Sequence, residues 1–127
     1  MKRELLLLAG LAGAGCGEPR SGDPGLVLSV AVSPTPATVG PGRVLVTLSD
    51  AAGAPIGGAT VVVSGRPPEG ALVTDTARAQ APGSYAAAAF PFGATGEWTL
   101  EAHARLVDGR ETRAEHRIRV VGRPTSP

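Results

Sequence analysis

Residues 96–121 read GEWTLEAHARLVDGRETRAEHRIRVV and predict two antiparallel strands joined by a tight turn. Apolar and polar side chains alternate in both halves, and a period of two with one apolar face is typical of a strand that is buried on one side. The apolar set of the first half is Trp98, Leu100, Ala102, Ala104 and Leu106. The apolar set of the second half is Ala114, His116, Ile118 and Val120. The hairpin therefore has one face for a core and one charged face.

The length of the turn determines which residues face each other across the hairpin. A two-residue loop of Asp108 and Gly109 would set Trp98 opposite an arginine and mix the two faces, which is heavily penalised when one face is buried. A three-residue loop that begins at Val107 sets Trp98 opposite Ile118 and keeps the apolar residues together. It also gives Gly109 the left-handed position that such loops need. We therefore predict the three-residue loop.

The rest of the chain predicts more short strands and no helix. The 127 residues include 18 glycines and 12 prolines, and only 3% are aromatic, which favours many turns around a core of Val, Leu and Ala. The predicted strands cover residues 26–33, 43–49, 59–64, 71–80 (a weak edge strand) and 84–90, followed by the hairpin. Short strands separated by turn signals about every 8–12 residues are typical of sandwiches. We predict one immunoglobulin-like antiparallel β-sandwich of about seven strands over residues 26–122, with a disordered tail at 123–127.

The N-terminus has the pattern of an export signal. Lys2 and Arg3 precede an apolar run of about ten residues, too short to span roughly 30 Å of hydrocarbon. Small residues then precede Cys16, the chain's one cysteine, and this arrangement resembles a bacterial lipoprotein signal, in which the cysteine becomes the acylated N-terminus. We predict a signal peptide at 1–15, lipid (palmitate) attachment at Cys16 and a flexible tether at 16–25. Two alternatives stay open: an ordinary cleavage after Ala14 that releases a soluble periplasmic protein, and an unmodified cysteine.

The residue after the cysteine indicates in which membrane a lipoprotein is retained. In lipoproteins of bacteria with two membranes, an Asp at that position favours retention at the inner membrane, and here the residue is Gly17. We therefore expect a lipid-anchored protein at the outer membrane, facing the periplasm.

Three segments of the chain resemble a known family. They are Val44-x-Val46-x-Leu48-x-Asp50 with Gly53-x-Pro55 after it, then Pro82-Gly83-x-Tyr85-x-Ala87, then Gly96-x-Trp98-x-Leu100. Together they resemble the YtkA-like domain family, immunoglobulin-like modules related to FixH. The resemblance implies an exported or membrane-anchored sandwich, sometimes associated with copper handling or the assembly of respiratory oxidases. In such proteins the stretch that matches residues 65–80 is often rich in Met and sometimes has His, whereas here it has neither.

The residues predict no metal site, no cofactor and no enzymatic activity. A copper or zinc site needs several converging ligands, and the weak candidates, His103 and His116, fall on opposite faces of the predicted hairpin. The serines lack a histidine–carboxylate partner at a recognisable spacing. No glycine-rich loop precedes a lysine that would hold phosphate, and no carboxylates are paired as in glycosidases. We predict a non-enzymatic protein with no small-molecule substrate.

A stripe of arginines on the charged face of the hairpin is the remaining candidate site. It comprises Arg105, Arg113, Arg117 and Arg119. The stripe is either a solvated outer face or a docking face for an acidic protein or for lipid headgroups. The net charge of the chain is only +1, without the basic excess of a nucleic-acid binder. We predict a lipid-anchored binding or structural module with an unidentified envelope protein as partner. The alternative is an accessory copper-handling or oxidase-assembly protein.

Overall fold

The computed structural model describes residues 20–22, as backbone, and residues 25–123. They form nine strands and no helix. The strands are β1 (Arg20–Gly22), β2 (Leu26–Ser33), β3 (Ala37–Thr38), β4 (Gly40–Asp50), β5 (Thr60–Arg66), β6 (Val73–Ala81), β7 (Ser84–Phe92), β8 (Gly96–Arg105) and β9 (Glu111–Val121). The predicted all-β class is confirmed, with two short strands, β1 and β3, beyond the predicted set. The described residues contain no helix able to cross a membrane.

The strands form two sheets that one strand connects. In the first sheet, β9, β8 and β5 lie side by side, and β1 and β3 pair with the outer edge of β9. In the second sheet, β7, β4 and β2 lie side by side. The first half of β6 pairs with β5, and its second half, from Arg78, pairs with β7. Each half of β6 is thus an edge of a different sheet, and the strand closes one side of the sandwich.

The hairpin of β8 and β9 has the predicted register. Trp98 lies opposite Ile118, and the ladder continues to Arg105 opposite Glu111. The turn is closed by the N–H of Gly109, which donates to the carbonyl of Leu106 at 2.9 Å. Gly109 has a φ of 94°, a left-handed conformation that costs glycine little. The three-residue loop is confirmed.

Aromatic side chains of β7 and β8 form the centre of the core. Trp98 is 2% exposed, and its Nε1 donates to the carbonyl of Ala94 at 2.9 Å. The indole packs edge-on against Phe92, with ring centroids 5.3 Å apart, and against Phe90, at 6.5 Å. Aliphatic residues of both sheets complete the core: Leu28, Val44, Val46, Leu48, Val61, Val63 and Leu100.

The alternation of faces is interrupted in β7. From the sequence we expect Tyr85 and Phe90, five positions apart in one strand, to lie on opposite faces; this expectation is wrong, because both are buried in the core. The register of β7 against β4 shifts between Ala87, opposite Val44, and Phe90, opposite Gly42. This bulge inserts one residue, and an inserted residue reverses the alternation of faces. The side chains of Tyr85, before the bulge, and of Phe90, after it, therefore both point into the core.

Two glycines make room for the rings that the bulge turns inward. A Cβ on Gly42 would lie 2.7 Å from the ring of Phe92, and one on Gly65 would lie 2.8 Å from the ring of Phe90. Both distances are shorter than a van der Waals contact, so the backbones of β4 and β5 approach these rings where no larger residue fits.

The N-terminal predictions are only partly covered by the described residues. The predicted tether, 16–25, contains β1, which pairs with Thr112 to Ala114 of β9, so these three residues belong to a sheet. Residues 34–42, which lie between two of the predicted strands, contain β3 and the start of β4. The signal peptide, Cys16 and residues 124–127 of the predicted tail lie outside the described part.

Replacing Trp98 by alanine should lower the free energy of unfolding by about 3–5 kcal/mol, because the indole leaves a cavity beside two phenylalanine rings. Denaturation followed by circular dichroism measures the change. Val107→Ala is the control, since Val107 is 88% exposed and its loss should change stability by no more than about 0.5 kcal/mol. A loss below about 1 kcal/mol for Trp98→Ala would contradict the assigned core face.

Candidate functional site

The charged face of the hairpin, made of the outward side chains of β8 and β9, divides into two halves. Near the turn, Arg105 Nε lies 3.9 Å from an oxygen of Glu111, and Arg113 Nη1 lies 3.6 Å from an oxygen of Glu101. These side chains are about half exposed, so each ion pair adds little stability. The carboxylates nevertheless offset part of the charge of both arginines, and the docking role of Arg105 and Arg113 stays a prediction.

The other half of the charged face has arginines that form no ion pair in the part of the chain that the structure describes, although Glu97 lies opposite Arg119 on the same face. Arg117 and Arg119 are exposed, and within the described residues neither has an ion-pair partner. Arg117 lies opposite Thr99, which in turn lies opposite Arg66 of β5. Two strand spacings of about 4.8 Å separate Arg66 from Arg117. We call Arg66, Arg117 and Arg119 the basic end; it contains only two of the four predicted docking arginines.

An apolar groove lies next to the basic end, between β2 and β9. Its volume is about 450 Å³. Its apolar lining comprises Val30, Val32, Pro34, Pro36 and Ile118, with His116 and Arg119 at the β9 side. The groove therefore combines an apolar lining with a cationic rim.

The groove exists because the sandwich does not close between β2 and β9. The outer edge of β9 pairs with β1 at Thr112 to Ala114 and with β3 at Val120 and Val121. Between these points, at residues 115–119, no strand among the described residues pairs with that edge. The far edge of β2 is likewise without a paired strand in this part of the chain. The segment from Pro34 to Pro36 crosses the gap and forms one end of the groove.

The two histidines lie on opposite faces of the hairpin, as the register requires. His103 is on the charged face, with Nε2 2.9 Å from Glu111 Oε1. His116 is half-buried and lines the groove. The described residues contain no group of three His, Cys, Asp or Glu side chains that would hold a metal ion. The absence of a metal site stays a prediction, because Cys16 and its neighbours lie outside this part.

Tyr85 is a buried polar side chain whose role the sequence did not reveal. Its hydroxyl donates to the carbonyl of Ile56 at 2.7 Å and accepts from the N–H of Ala59 at 3.2 Å. These hydrogen bonds hold the loop between β4 and β5, so the hydroxyl has a structural role. All buried side-chain nitrogens and oxygens among the described residues have a hydrogen-bond partner. The non-enzymatic role remains a prediction.

The turn of the hairpin carries a perturbed carboxyl group. The backbone N–H of Arg110 donates to Asp108 at 3.0 Å and its Nε donates at 2.9 Å. The backbone hydrogen bond from Arg110 has the largest effect and lowers the pKa of Asp108; desolvation opposes it, and the guanidinium of Arg110 lowers the pKa further. Asp108 is exposed at the turn, and these contacts hold the loop rather than a ligand.

Asp108 should titrate below the usual range of aspartate. Because its pKa is lowered in the folded state, its contribution to stability is present above the unfolded pKa and is lost as pH falls through the folded pKa. NMR of the carboxyl carbon measures the titration. Arg110→Ala removes the guanidinium but keeps the backbone N–H, so the pKa should rise only part of the way. A pKa at the ordinary aspartate value in the unmodified chain would rule out this turn geometry.

In comparisons with known proteins, the chain is similar to a solved structure in its fold. No family model matches the chain, and no curated protein matches it. The chain is similar to a solved structure, CopC from Methylosinus trichosporium OB3b, with a TM-score of 0.53 and 19% sequence identity. The similarity covers 80% of this chain and 100% of CopC. At this identity the likeness shows the fold alone, and it agrees with the predicted β-sandwich.

Proposed function

We propose that the chain is a non-enzymatic, lipid-anchored envelope protein whose β-sandwich binds an acidic partner through the basic end. The observation that carries the proposal is the division of the charged face. Arg105 and Arg113 face carboxylates, whereas Arg117 and Arg119 have none within ion-pair distance in the described part and lie beside an apolar groove. A cationic rim next to an apolar surface is suited to binding rather than to bond chemistry.

The proposed localisation rests on the N-terminal sequence. The basic start, the apolar run and the small residues before Cys16 resemble a lipoprotein signal. The resemblance to the YtkA-like family implies a β-sandwich, and the sandwich fold of the chain supports an exported module of this kind to that extent. We propose attachment through an acylated Cys16 at the outer membrane, facing the periplasm. An unidentified envelope protein is the partner expected for the module.

Lipid attachment predicts that the protein takes up a palmitate analogue in growing cells. Cys16→Ala should abolish the label and release the protein from the membrane fraction, because no other cysteine is present. Val107→Ala, at the far tip of the hairpin, should keep the label and serves as the control. Label that persists in Cys16→Ala would falsify attachment at this residue. A soluble, unlabelled periplasmic protein of normal sequence would instead support cleavage after Ala14.

Accessory copper handling or oxidase assembly is the second candidate. It follows from the resemblance to the YtkA-like family, and the fold shared with CopC is the observation that favours it. Against it, His103 contacts Glu111 on one face while His116 lies on the other. Two imidazoles on opposite sides of one sheet cannot bind the same ion within one protomer.

We expect the mature chain, residues 16–127, to fail in competition with a chelator for Cu(I). The physical reason is that a copper site needs several converging ligands, and the described residues bring together no group of three His, Cys, Asp or Glu side chains. Spectrophotometric titration measures the transfer of copper from the chelator. Tight binding that is lost in His116→Ala but kept in His103→Ala would overturn this expectation and would place copper at the groove.

A further inference from the structure

The short strand β1 determines where the chain enters the sandwich. It pairs with β9 in the antiparallel direction, with Arg20 opposite Ala114 and Gly22 opposite Thr112. The N-terminal end of β1 therefore points along β9 toward Glu115 and beyond it to the basic end. The turn of the hairpin, at Gly109, lies in the other direction. The direction of β1 thus relates the anchor to one end of the domain.

The distance from Cys16 to this strand is short. Cys16 precedes Arg20 by four residues, and four residues span at most about 14 Å. Arg117 is three residues beyond Ala114, about 10 Å along β9, and Arg119 is about 17 Å along it. A lipid attached at Cys16 therefore keeps both arginines close to the bilayer surface. Their long side chains cover much of the remaining distance.

The surface at this end of β9 has the composition that an anionic bilayer surface attracts. Arg119 lines one wall of the groove, and Arg117 precedes it by two positions on the outer face of β9. Arg43 of β4, exposed and opposite Ser33 of β2, lies behind the other wall, on the outer face of the second sheet. None of the three arginines has an ion-pair partner among the described residues. Pro34 and Pro36 are exposed between the two walls.

The two ends of the charged face differ in how their arginines are paired with carboxylates. Glu97 lies opposite Arg119, and Glu115 precedes Arg117 by two positions on the same face, so the surface is mixed but has an excess of arginine. At the turn, Arg110 contacts Asp108 at 2.9 Å. The arginines near the turn therefore face carboxylates, whereas Arg43, Arg117 and Arg119, on the side from which β1 arrives, form no ion pair among the described residues.

We propose that the edge formed by Arg43, Arg117, Arg119 and the Pro34–Pro36 segment rests on anionic phospholipid headgroups of the membrane that holds Cys16. This inference rests on the proposed lipid attachment, and it assigns a lipid contact to two arginines of the basic end, Arg117 and Arg119. Each arginine at an anionic surface favours contact about fivefold. The attraction acts within about 8–10 Å at physiological salt, a distance that the short N-terminal link allows. The groove then opens toward the headgroups, and the turn of the hairpin points into the periplasm.

The experiment couples the mature chain, residues 16–127, to vesicles through its one thiol, with a maleimide lipid in place of the natural anchor. These residues include the whole described fold. Thr35→Trp, at the exposed rim of the groove, provides a reporter, and Val107→Trp provides the matched control at the far tip. Trp98 is 2% exposed and contributes little to quenching by acrylamide. Quenching is compared on phosphatidylcholine vesicles with and without phosphatidylglycerol.

We expect phosphatidylglycerol to lower the quenching of Thr35→Trp and to leave Val107→Trp unchanged. Arg117→Gln with Arg119→Gln should reduce the ratio of contacting to free domains about 25-fold and restore quenching. Arg105→Gln with Arg113→Gln makes the same change in net charge and should leave quenching low. High salt should act like the first pair of substitutions.

Three outcomes would overturn the proposal: a rim reporter that does not respond to phosphatidylglycerol, a tip reporter that responds instead, or equal effects of the two arginine pairs. The last result would show a response to net charge alone. A rim that is protected only when a purified envelope protein is added would identify a protein as the occupant. Because the coupling is chemical, the result does not depend on acylation in cells, which the palmitate experiment tests separately.

Discussion

The antiparallel pairing of β8 with β9 is the constraint on which the rest of the structure depends. Its three-residue turn keeps Trp98 and Ile118 on the core side and the arginines on the other. A shift of one position would exchange the faces of one whole strand. The indole would then leave the phenylalanine rings, and the second sheet would lose the surface against which it packs. The core and the charged face are therefore two consequences of one register.

The sequence predicted this register because size, charge and turn chemistry agreed along ten paired positions. It did not predict the bulge in β7, because a run of four alanines carries no size signal that marks where an extra residue lies. The bulge becomes visible only through Phe90 and Phe92, which both need space, and through Gly42 and Gly65, which provide it. Local alternation is reliable where large and charged residues alternate, and it fails where all side chains are small.

The candidate site was predicted only in part, for a similar reason. The four arginines were placed correctly on one face. Which of them contact a carboxylate also depends on side chains diagonally across the hairpin. The groove depends on a gap between two strands that are distant in sequence, and no local pattern marks such a gap. The short strands β1 and β3 were missed because two or three residues are too few to show a period. Yet β1 determines from which side the N-terminal segment reaches the domain.

The division of the charged face follows from a regularity in the hairpin. His103 reaches Glu111 and Glu101 reaches Arg113, and both contacts join a β8 residue to the β9 residue two positions nearer the turn than its direct partner. Long side chains often meet along a diagonal in this way. One step further along β8, Thr99 lies diagonal to Glu115 and offers a hydroxyl in place of a charge. The series of contacts stops there, and the next diagonal pair, Glu97 with Arg117, forms no ion pair within the described residues. Thr99 therefore separates the arginines near the turn, which contact carboxylates, from Arg117 and Arg119, which share their end of the face with Glu97 and Glu115 but form no ion pair with them in the described part of the chain.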